Sequence, residues 1–142
     1  MKLRKIFLAA PLALCACATV AHVIEWVPAG PSFAPKKTEE VAVFRSKAEV
    51  KHPFGVIALL HGWRVPAGDT KSLEKQIARA REIAAQNGAD AIVADEINQA
   101  LEPSPFTPMP GKTPETHIYG IAIKYTDSLT GPERKIIENW QP

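Results

Sequence analysis

From residue 40 onward the chain alternates between two hydrophobic rhythms. Val41-Ala-Val-Phe44 is a short β-rich run. Gly55-Val-Ile-Ala-Leu-Leu-His61 is nearly continuous apolar sequence, as expected of a strand covered on both faces. Gly62 to Asp69, with Pro66 and Gly68, breaks it. Leu73, Ile77, Ala80 and Ala84 then recur at helical spacing, with Ile83 widening the stripe. Asp69 or Thr70 is the expected cap, and Asn87-Gly88 the left-handed stop. Ala89 to Asp95 reads as a strand, followed by a Pro-rich loop over 98–116. In the last strand, 116–125, Tyr119, Ile121, Ile123 and Tyr125 alternate onto one face. Thr130-Gly-Pro-Glu133 has capping-box spacing and predicts a short helix through Trp140. The predicted fold is therefore α+β, with order β-β-α-β-β plus a terminal helix.

Ahead of this pattern lies a different one. Lys2, Arg4 and Lys5 precede an apolar run, Ile6 to Leu14, that falls short of the ~20 residues needed to span a bilayer. Leu14-Cys15-Ala16-Cys17 follows, and this segment resembles the bacterial lipobox. The resemblance implies a signal peptide over 1–16, cleavage after Ala16 and lipid on Cys17. A cut after Leu14 would place a large residue where a small one is needed. An ordinary secretory signal and an uncleaved anchor compete with the lipobox reading. Cleavage removes the apolar run, so acyl chains, worth about 0.8 kcal/mol per buried CH₂, must hold the protein to the membrane. Ala18 is not the aspartate associated with inner-membrane retention, so the outer membrane is expected, with the domain facing the periplasm. Residues 17–39, with Pro28, Pro31 and Pro35, read as a tether, leaving one domain over 40–142. Within that tether Val23, Ile24, Trp26 and Val27 are apolar enough to pack on the domain or to sit among lipid headgroups.

The chain has 142 residues, enough for one domain. Its charge of +2 comes from the N-terminus; without Lys2, Arg4 and Lys5, 14 basic residues face 15 acidic ones. That balance argues against a nucleic-acid partner. Both cysteines, Cys15 and Cys17, lie in the signal region, so the expected mature fold has no disulfide and no thiol ligand.

The helix running into Gly88-Ala-Asp-Ala-Ile-Val93 resembles a group of small bacterial α/β domains. The group includes many lipoproteins, the Rcs stress-sensor lipoprotein of enteric outer membranes, and small proteins once labelled heavy-metal-binding. The similarity covers about residues 40–125. It implies a fold in which Gly88 ends the helix and Asp90 stands at the strand entrance, and it supplies no active site. The disulfides of the Rcs sensor have no counterpart here, so its signalling role does not carry over.

Candidate chemistry is sparse. Leu59-Leu-His-Gly-Trp63 resembles the His-Gly segment of α/β-hydrolases, but no Gly-x-Ser-x-Gly turn accompanies it, and an enzyme is not expected. His61, His117, Asp95 and Glu96 lie near strand ends, where a fold can bring them together around a metal; scattered rim residues are the plainer reading. Asp95 and Glu96 alternate across a strand, which argues against shared acid–base work. Phe106 and Met109, in the Pro-rich loop, are candidates for contact with a partner, although the loop is equally readable as a plain insertion. No cofactor is expected. The function read from the sequence is an envelope lipoprotein that binds or supports another envelope component, or alternatively a periplasmic small-ligand or metal-binding lipoprotein.

Overall fold

A computed structural model describes residues 24–99 and 114–139. The signal region, Cys17, Phe106, Met109 and Trp140 lie outside the described residues. The fold is α+β. Strands β1 (Ile24–Pro28), β2 (Ala42–Phe44), β3 (Phe54–Gly62), β4 (Val65–Pro66), β5 (Ala91–Gln99) and β6 (Glu115–Tyr125) form one mixed sheet. Its order is β1-β3-β6-β5-β2, with β4 pairing the start of β6. Neighbours are antiparallel except β2 and β5, which are parallel. Two helices complete it, α1 (Thr70–Gln86) and α2 (Gly131–Glu138).

Helix α1 begins where Asp69 accepts the Ser72 N–H at 3.1 Å, as its side chain predicts. It ends at Gly88, whose φ of +71° is costly for any residue with a Cβ. Its inner stripe, including Ala80, Ala84 and Ala85, packs on Ile24, Leu60, Ile92 and Ala122 of the sheet. Small side chains at these helical positions let the backbone approach the sheet closely. Gln76, which lies outside the apolar stripe, is nevertheless fully buried and donates to the Trp63 carbonyl at 2.8 Å. The hydrogen bond anchors the turn after β3 to the helix.

The tether expected over 17–39 differs in the structure from residue 24 onward. Ile24–Pro28 is an edge strand in register with β3, from Ile24 opposite Gly62 to Pro28 opposite Ala58. Ile24 and Trp26 join the core beneath α1, and that apolar burial outweighs the disruptive prolines. Beyond it, the Phe33 and Lys36 N–H groups bond the carbonyls of Asn87 and Ala85, stitching residues 29–39 across the end of α1. The expected loop over 98–116 is also shorter at both ends. Asn98 pairs with Thr116 and Gln99 with Glu115, because the β5–β6 hairpin satisfies backbone groups that loop-like side chains do not reveal. At α2 the predicted box is present: the Glu133 carboxylate accepts the Thr130 N–H at 3.0 Å and its hydroxyl at 2.7 Å.

Candidate functional site

The sheet face turned away from α1 holds Ala91, Val93, Ile121 and Ile123 at its centre, all buried, with half-buried Phe44, Phe54, Val56 and Leu59 around them. Arg45 to Val50, including a short 3₁₀ turn at Lys47–Glu49, runs beside this face. Between that segment and the sheet lies an open groove of about 370 Å³ lined by Arg45, Lys47, Val93, Asp95, Tyr119 and Ile121. Its floor is apolar and its rim carries two cations, one carboxylate and a phenol. Tyr119 is 41% exposed, although Ile121 and Ile123, which follow it in the same alternation, are buried.

One cross-strand row brings polar side chains together. Register places Glu25, His61, Tyr119 and Asp95 side by side on β1, β3, β6 and β5. The His61 and Tyr119 rings stack with centroids 4.8 Å apart, and Nδ1 of His61 lies 3.5 Å from the Glu25 carboxylate. His117 stands two residues before Tyr119 on the same face. Nε2 of His61 and Nδ1 of His117 are buried and have no hydrogen-bond partner among the described residues.

Of the four residues read as metal candidates, three therefore share a face and one does not. Glu96 points to the opposite side, where it accepts a 3.4 Å hydrogen bond from the Thr116 hydroxyl. Asp95 is separated from His61 by two interstrand spacings, on the order of 10 Å, with Tyr119 between them. Among the described residues no group of three His, Cys, Asp or Glu stands close enough to hold a metal ion. The partner candidates Phe106 and Met109 lie outside the described residues.

A second polar cluster is structural. Asp90, 8% exposed just before β5, pairs with Lys36 and with Lys124, the latter at 3.2 Å. It also accepts the Tyr125 N–H at 2.8 Å. Burial pushes its pKa upward, but the Lys36 hydrogen bond, the Tyr125 N–H and Lys124 together outweigh this and hold the carboxyl below its ordinary value. Lys124 also donates to the Gly88 carbonyl at 3.0 Å and lies 5.0 Å from the Phe33 ring centre. Burial, followed by the charges of Asp90 and Asp127, raises the Tyr125 phenol. The cluster thus ties the segment after β1, the end of α1 and the end of β6 into one joint. All of these bonds lie within the fold.

No family model matches the chain, and no curated protein matches it in sequence. The crystal structure of a Francisella virulence factor, FvfA, is similar at 16% identity and a TM-score of 0.48, covering 70% of this chain and 95% of that one.

Proposed function

We propose that the protein is a lipid-anchored component of the bacterial envelope, held to the outer membrane through Cys17, whose domain binds or supports another envelope protein. The observation that carries the binding part is the sheet face opposite α1. It offers an apolar floor, an exposed Tyr119 and a charged rim, the mixture of anchor and polar edge that suits protein contact. The anchor rests on Leu14-Cys15-Ala16-Cys17. No helix among the described residues is long and apolar enough to cross a membrane. Mass spectrometry of protein extracted from membranes tests the anchor: the first peptide is expected to begin at Cys17 with acyl chains attached. An unmodified Cys17, or a signal region still in place, contradicts it.

A metal-binding role has one observation in its favour, the two imidazole nitrogens on this face that lack partners among the described residues. Calorimetric titration with zinc, copper and nickel separates the two roles. Heat that disappears in a His61→Ala, His117→Ala double variant supports the metal, and a flat trace removes it.

A further inference from the structure

Strand β2 covers only the first third of its neighbour. Its ladder with β5 stops at Phe44 opposite Val93, whereas β5 continues to Gln99 with β6 on its other side. The N–H of Ala42 donates to the Asp90 carbonyl at 3.0 Å, and this parity turns the peptide groups of residues 92, 94 and 96 toward the β2 side. The Phe44–Val93 pair places the Ala94 N–H on the Phe44 carbonyl, and Ala94 is buried; past it no strand among the described residues occupies that side. The Glu96 N–H there is taken instead by the carboxylate of its own neighbour, Asp95, at 2.9 Å. A side chain folded onto an edge donor occupies the place that a strand carbonyl would take.

The groove adjoins this edge through Val93 and Asp95 and brings Arg45 and Lys47 beside it. Neither cation forms an ion pair among the described residues. We propose that the β5 edge from Asp95 onward, with the groove beside it, binds an extended segment of a partner protein by strand addition. In that segment an acidic residue meets Arg45 and Lys47, and an apolar residue two positions away packs against Val93 at the near side of the groove. Residues two apart in a strand share a face, so one extended peptide satisfies both contacts. The Asp95 carboxylate gives up the Glu96 N–H to the incoming backbone. The proposal rests on the reading that the domain binds an envelope partner, and names the kind of segment it takes.

The probe is a capped peptide, acetyl-Thr-Val-Thr-Glu-Thr-amide, titrated into isotope-labelled full-length protein and followed by amide chemical shifts. Shifts are expected at residues 93–96 and 45–47. Replacing the peptide's Glu by Lys, or N-methylating its backbone at the central Thr, is expected to weaken binding by at least about tenfold, the first through charge and the second through the ladder. The R45E/K47E protein is expected to lose the acidic peptide to a similar extent while keeping its fold. Absence of shifts at millimolar peptide, or equal binding of the Lys and N-methylated peptides, overturns the proposal. Shifts at the edge that depend on protein concentration alone overturn it in favour of a second copy. Failure here leaves the broader reading standing if a crosslinker on the open face still captures an envelope protein.

Discussion

Asp90 joins two lysines, a backbone N–H and three segments of chain through one carboxylate. Its pKa is depressed on folding, so its contribution is complete above the unfolded value of about 3.9 and is lost as pH falls through the folded one. Thermal melts between pH 6 and pH 3 should therefore show a falling midpoint, and Asp90→Asn should flatten that slope. The same variant should lose about 2–3 kcal/mol at neutral pH, because Lys36 and Lys124 keep their charges without the partner. Gly88 gives a second residue-scale expectation. A Cβ there would stand 2.7 Å from the Phe33 carbonyl carbon at a φ of +71°, whereas at Gly68, φ +89°, it would meet nothing within 4 Å. Gly88→Ala should cost about 2–4 kcal/mol in denaturant melts and Gly68→Ala only about 1–2 kcal/mol. Local sequence is enough to put Gly88 at the helix stop and Asp90 within the strand read over 89–95. It does not reveal Lys36 as the partner of Asp90, because the ion pair joins residues far apart in the chain across the end of α1.

At the scale of elements, periodicity is the reliable signal. The alanine-rich stripe of α1 and the alternation of β6 both fall where the apolar spacing puts them. Strand β1 is less legible. Its burial pattern is short, prolines follow it, and its pairing with β3 is made across the intervening β2 segment. Hydrogen exchange distinguishes strand from tether: the amides of residues 24–27 that face β3 should be protected to the same order as those of β3, while a tether would exchange at the rate of an unfolded chain. The candidate site is legible in part. His61, Asp95 and His117 do share a face, as strand-end positions allow, but the spacing between strands keeps Asp95 from His61, and Tyr119 between them gives no signal beyond its place in the alternation. Arg45 and Lys47 lie in a polar, charged stretch, residues 45–53, with no apolar period to mark it. Their meaning depends on where β2 stops.

Across the whole molecule, one face of the sheet is closed by α1 and the opposite face is left with a groove, stacked rings and a polar rim. For the proposed recognition of a protein, a face continuous with a strand edge that is unpaired among the described residues supplies two modes of contact at once. Net charge contributes little, since beyond Lys2, Arg4 and Lys5 the chain is close to neutral. The proposed function turns on whether the open side of the sheet, and not the α1 side, meets a partner. Site-specific photocrosslinking in living cells measures this most directly, with the crosslinker at Tyr119 on the open face and, for comparison, at Arg79 on the exposed side of α1. The prediction is a discrete adduct with one identifiable envelope protein from position 119 and none from position 79. Equal adducts from both positions, or an adduct from position 79 alone, would contradict it.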